Sequence, residues 1–166
     1  MDLSFDEFYS FTSTITKEAA EIILAAKQNL VANTKLDGTI VTETDLKVER
    51  HIRSKIEDKY PEHGIVGEEF KDHQVGAKYM WVIDPIDGTT SYFHGTPLFG
   101  TLVGLLKDGK PTYGSLRLPV LDQMASGDGQ RCIINDRVAS AKKFESWEKS
   151  LLLTSDERRI EDSSYS

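Results

Sequence analysis

The chain has 166 residues, of which 39% are hydrophobic and 28% charged, a balance that suits one water-soluble globular unit with a sizeable core. A net charge of −7 argues against the basic face that non-specific nucleic-acid binding needs, and no apolar run approaches the ~18 residues of a membrane span, so neither nucleic acid nor membrane is expected as a partner. Cys132 is the single cysteine, which rules out an internal disulfide and points to a reducing, cytoplasmic setting; within RCIIND it reads as a small buried side chain.

The N-terminal MDLSFDEFYS is acidic and lacks the basic-then-apolar pattern of a secretory signal. From there Phe8, Phe11, Ile15, Ala19, Ile22, Ile23, Ala26 and Leu30 recur at spacings of three and four, which predicts an amphipathic helix over 5–31. Ser4 followed by Glu7 is a capping-box signature at its start. NTKLDGT (33–39) reads as a loop with a D-G turn. A second helix is expected from near Thr44 and Asp45, with Val48, Ile52 and Ile56 on its apolar stripe and Pro61 as its stop. HGIVGEEF then gives a short strand running into a glycine and two glutamates, and 79–83 is a further apolar strand. Beyond Pro97 the pattern turns to β. Strands at 99–106 and 112–118 flank the KDGK hairpin turn, and short strands near 124–126 and 131–134 are separated by GDG. Residues 151–154 look like the first strand of a new unit, followed by a polar tail. The layout predicts an α+β fold, with helices layered on a largely antiparallel sheet, over residues 1–150.

WVIDPIDGTTSYFH (81–94) is the stretch that carries chemistry. An apolar strand ends in Asp-Pro-x-Asp-Gly, where Pro85 fixes φ and Gly88 admits a backbone angle closed to other residues. Such a turn can aim Asp84 and Asp87 at one point, where their repulsion is relieved by a proton or a divalent cation; oxygen ligands of this kind suit Mg²⁺. The carbonyl of Ile86 can face the same point. Gly88, Thr89 and Thr90 follow with amides and hydroxyls suited to phosphate oxygens, the more so if a helix starts near Ser91. A plain surface turn would explain Asp-Gly, but not two aspartates after a buried strand. A calcium loop would need an acidic ladder that is absent, and an aspartyl-nucleophile phosphatase would need Asp-x-Asp, where Pro85 stands.

Glu68 and Glu69 follow Gly67 at another strand end, so only one of them is expected to reach a shared site. A solvated acidic pair is the plain reading of the two alone; the nearby Asp-Pro-x-Asp-Gly makes a shared metal site the better one. Asp45, at the end of VTETD, reads equally well as a helix N-cap. Lys35 reads as a solvated lysine, and the four histidines have no metal-ligand spacing.

VTETD (41–45), GEE (67–69) and WVIDPIDGTTSYFHGTPLFG (81–100) together resemble the inositol monophosphatase family of Mg²⁺-dependent phosphatases. DGTIVTETD, PEHGIVGEEF and GTPLFGTLVGLLKDGKP look most like its histidinol-phosphatase branch. The resemblance implies the N-terminal half of a sugar-phosphatase-like fold and hydrolysis of a small phosphate monoester, histidinol phosphate or inositol monophosphate, by metal-activated water. It implies two or more Mg²⁺ per site, with Mn²⁺ as a substitute, and a homodimer. By position, Glu68, Asp84, Asp87 and the Ile86 carbonyl would be metal ligands. Glu68, Asp45 and Thr89 would be catalytic, with Asp45 orienting Thr89. Asp87, Gly88, Thr89 and Thr90 would contact the substrate. Glu69 matches the motif but is not expected as a direct ligand.

The family's second half, with its Trp-Asp motif, has no counterpart in these residues, and 151–166 reads as the start of that half or as a polar tail. The chain is then expected to be either a piece of a longer enzyme or a truncated, catalytically impaired paralogue that binds metal or a partner. The second case predicts self-association through uncovered sheet surface.

Overall fold

The structure, a computed structural model, describes residues 2–26, 32–34 and 40–151. Helix α1 (Phe5–Ala26) opens with the expected capping box: Ser4 N donates to Glu7 Oε2 at 3.0 Å and Glu7 N to Ser4 Oγ at 3.3 Å. Its anticipated continuation to residue 31 lies outside the described residues. The three-and-four spacing buries Phe8, Phe11, Ile15, Ala19 and Ile23 along one face. Thr12 and Thr16 share that face without penalty, because their hydroxyls donate to Phe8 O at 2.8 Å and Thr12 O at 2.6 Å.

Strands β1 (Ala32–Thr34) and β2 (Ile40–Thr42) pair antiparallel on either side of the stretch read as a loop, β1 taking its first two residues; 35–39, with Lys35 and the D-G turn, lie outside the described residues. Helix α2 (Glu43–Lys59) follows. Its N-cap is Thr42, not Asp45. Thr42 Oγ1 accepts from Thr44 N at 3.2 Å, while Asp45, three residues into the box, accepts from Thr42 N at 2.8 Å. Asp45 therefore caps through its own carboxylate from the N3 position, leaving its second oxygen for other work. Tyr60 ends the helix ahead of Pro61.

The main sheet has the order β3 (Gly64–Gly67), β4 (Tyr79–Asp87), β5 (Gly100–Lys107), β6 (Lys110–Leu118), β7 (Gln123–Gly127), β8 (Cys132–Ile134) and β9 (Arg137–Ala139). Only β3 and β4 run parallel, so the sheet is largely antiparallel, as expected for this α+β fold. The β5–β6 hairpin turns at Asp108 and Gly109, both with positive φ, as the D-G pair predicts. A short helix, α3 (Thr89–Phe93), follows β4; it starts two residues before the expected Ser91. Strand β9 and a 3-10 turn at Trp147–Lys149 were not legible, and Leu151 is exposed and irregular. Residues 152–154 lie outside the described residues. Cys132 is half-buried rather than buried, because β8 lies next to the sheet edge.

Helices α1 and α2 pack against each other and against one face of the sheet. The core between them is aromatic. The Phe8 ring stacks on Trp81 at 5.6 Å, and Phe11 meets Trp81 edge-on at 5.5 Å. Such pairs add ~0.5–1.5 kcal/mol beyond area burial. Trp81 and Ile83 point into this core. The pleat therefore turns Val82 and Asp84 to the opposite face, away from the helices.

Candidate active site

Asp84 and Asp87 are three residues apart, which in a regular strand puts their side chains on opposite faces. The backbone resolves this. Asp84 pairs with Leu102 and Asp87 with Gly100, so β4 uses one residue more than β5 over the same stretch. That bulge returns both carboxylates to one side. It also accommodates Pro85, which has no N–H to give the ladder, while the Pro85 carbonyl accepts from the buried Thr101 hydroxyl at 2.9 Å. Thr101 was not singled out from sequence; within GTLVGLL it looks like an ordinary strand residue.

Glu68 stands one step past the last parallel pair, Gly67 with Ile83, and so lies alongside Asp84. The two carboxyls are hydrogen-bonded to each other. Burial first, then the negative charges of Glu68 and Asp87, push Asp84 up to about 7. Its Oδ1 is buried and has no hydrogen-bond partner. Asp87, at the end of β4, is exposed. Among the described residues no three His, Cys, Asp or Glu side chains converge as a ready-made cage: the Glu68 carboxyl lies against Asp84, and Asp87 is exposed. The donor set nevertheless fits a hard divalent cation. It offers a carbonyl and three carboxylates, one of which, Asp84, has a buried oxygen with no hydrogen-bond partner.

Ile86 buries its side chain and presents its carbonyl to the Thr89 hydroxyl at 2.9 Å. Thr89 Oγ1 also lies 3.3 Å from Asp45 Oδ1, so its single proton has two acceptors to choose from. Burial raises the Asp45 pKa despite the hydrogen bonds it accepts from Thr42 and Thr89. Gly88 precedes α3 with φ +83, and a Cβ there would meet Leu98 O at 2.9 Å, so glycine is required twice over. The first bond back within α3 is Tyr92 N to Gly88 O at 3.0 Å, which leaves the amides of Thr89, Thr90 and Ser91 without partners inside the helix. Thr90 is exposed on that turn. The structure thus gathers Asp45, Glu68, Asp84, Ile86, Asp87, Gly88, Thr89 and Thr90 at one end of β3 and β4. Besides Thr101, a second residue escaped the sequence reading: Glu49, a fully buried acid between Val48 and Ile52. An acid on the inward side of an apolar helical stripe was the available signal.

The profile of the inositol monophosphatase family matches residues 4–164. Histidinol-phosphatase of Chlorobaculum parvum is 41% identical over 98 residues, which cover 59% of this chain and 38% of that protein. Inositol monophosphatase 1 of Bos taurus is 32% identical over 159 residues, 89% of this chain and 56% of that protein. The structure of an inositol monophosphatase from Anabaena superposes with a TM-score of 0.72 at 26% identity, covering 84% of this chain and 51% of that one. The chain spans about half the length of the relatives it matches. By profile, by sequence and by fold, the chain belongs to the inositol monophosphatase family.

Proposed function

We propose that this site takes part in hydrolysing small phosphate monoesters with the help of divalent cations, Mg²⁺ being the natural choice and Mn²⁺ a substitute. The observation that carries the reading is the buried, unpartnered Oδ1 of Asp84 beside Glu68 and within electrostatic reach of Asp87. Glu68, Asp84, Asp87 and the Ile86 carbonyl would hold the cations. When bound, these supply positive charge and Lewis acidity at the phosphate.

The chain's own groups supply the rest. The Thr89 hydroxyl lies between the Ile86 carbonyl and Asp45 Oδ1; when its proton is directed to Asp45, its lone pairs are left to orient a water. Asp45 keeps that proton in place because its other oxygen is pinned by Thr42. The amides of Gly88, Thr89 and Thr90, ahead of the first bond within α3, would donate to phosphate oxygens, with the Thr90 hydroxyl at the rim. Clustered carboxylates alone would repel a phosphate dianion, so dependence on cations is expected to be absolute.

Histidinol phosphate and inositol monophosphate are the leading substrates, supported by the named relatives; the residues of this site read phosphate and metal rather than the alcohol. Phosphate release from both esters, with Mg²⁺ and with a chelator, tests the reading. Mg²⁺-dependent turnover that falls at least ~100-fold in Asp87→Asn is expected, in line with losses on removing a charge-stabilising group. Turnover in chelator, or an unimpaired variant, would contradict it.

A further inference from the structure

Glu68 lies in a loop, beyond the last residue of β3, where ladder hydrogen bonds no longer hold the backbone. A ligand on such a segment needs support from its neighbours to stay in place.

One helix supplies such support. Glu49 lies one turn beyond Asp45 on α2 and is 0% exposed. Its Oε2 accepts from the backbone N–H of Glu69 at 2.7 Å, and its Oε1 from the N–H of Phe70 at 3.3 Å. Arg53, one turn further, donates from Nε to Glu49 Oε1 at 2.7 Å and from Nη2 to the Phe70 carbonyl at 3.1 Å. The Arg53 guanidinium also lies over the Phe70 ring, 5.9 Å from its centroid. A side-chain pair thus holds both the N–H and the C=O of Phe70 and the N–H of the residue next to Glu68.

Gly67 completes the fit. A Cβ at this position would collide with the Glu49 carboxylate and come within 2.7 Å of Arg53 Nη2. Its glycine is therefore explained by close approach of a side chain, since its φ is not positive. A buried charge pair is costly to desolvate and does not by itself mark stability. This one acts on backbone groups of a single loop, the loop that carries Glu68.

Resting on the metal reading of the site, we propose that Glu49 is a positioning residue: its carboxylate, locked by Arg53, clamps the backbone after Gly67 and so presents Glu68 to Asp84. Asp45 and Glu49, four apart on α2, then set the two sides of the site from one helix, Asp45 through Thr89 and Glu49 through the Glu68 loop.

The test is Mn²⁺ binding by the 166-residue protein, followed by titration calorimetry, together with amide exchange at Glu69 and Phe70. Glu49→Gln keeps the shape but sets an amide NH₂ against a backbone donor. It is expected to weaken Mn²⁺ by at least ~10-fold, the range seen for supporting partners of metal ligands, and to speed exchange at both amides. In a Glu68→Gln background the same change is expected to cost less than about twofold, because the residue it acts through is already altered. A general loss of structure would instead weaken binding equally in both backgrounds, and that result would overturn the proposal. So would Glu49→Gln binding Mn²⁺ as wild type does. If Glu49→Gln does not fold, the same readings on Glu49→Asp decide, since it keeps the charge beside Arg53 and shortens only the reach. Absence of Mn²⁺ uptake by the wild-type protein would remove the proposed function itself, and this inference with it.

Discussion

Asp84 sits where two demands conflict: a strand end half-buried against Glu68, and a carboxylate that burial and like charges drive toward its protonated form. Its folded pKa of about 7 lies above the ordinary 3.8, so without cations its contribution to stability is full below about pH 4 and is lost as pH rises through 7. Asp84→Asn removes that titration. In chelator the variant is expected to melt above wild type, by a margin that widens from pH 5 to pH 8. Millimolar Mg²⁺ is expected to raise the wild-type Tm and leave the variant's unmoved; a constant margin across pH would contradict this. Gly88→Ala is expected to cost ~1–3 kcal/mol, from a positive φ and contact with the Leu98 carbonyl, measured by denaturant unfolding. Both aspartates and the glycine were legible because a plain turn after an apolar run has no use for a second carboxylate beside the first. The bulge that brings the aspartates to one face was not, because it depends on how β4 pairs with β5, which is a property of two strands. Thr101 escaped for the same reason: only its hydrogen bond to Pro85 O sets it apart.

Among the elements, α1 and α2 were readable from periodicity, since long amphipathic stripes leave a strong pattern. The start of α2 was less so. T-E-T-D holds three residues able to cap, and the choice of Thr42 follows from Asp45 reaching back to its N–H. Strands β1, β2 and β9 have three residues each, too few for alternation to register; β8, equally short, was readable only as the apolar run Cys132–Ile134. His63 shows a side chain whose role belongs to the packing of elements. It stacks on Tyr60 at 4.8 Å and meets Tyr79 at a tilt at 4.9 Å, and its Nδ1 accepts from the Trp81 indole N–H at 3.1 Å. The accepting nitrogen must carry no proton, and burial lowers the pKa below 6.5. The folded state therefore gains from this contact above about pH 6.5 and loses it as pH falls through the depressed value. In an NMR titration the Trp81 indole proton is expected to shift with a midpoint below 6.5; a midpoint at or above that value would contradict the contact.

For the molecule as a whole, two helices cover one face of the sheet, and the acidic cluster lies at the end of β3 and β4, beside the start of α2; Val82, on the face away from the helices, is 38% exposed. No helix of the described residues is long and apolar enough to cross a membrane. The division of labour follows from the pleat: alternate residues of β4 feed the aromatic core through Trp81 and Ile83 and the site through Asp84. Core and site therefore share one strand, and a rigid core holds the site's spacing. The most direct measurement is anomalous diffraction from crystals of this chain grown with Mn²⁺. A strong peak within coordination distance of Asp84 and Glu68, with Asp87 turned inward from solvent, is the expected result. A map without a peak there, with Glu68 and Asp84 still hydrogen-bonded to each other, would contradict the metal site on which the proposed chemistry depends.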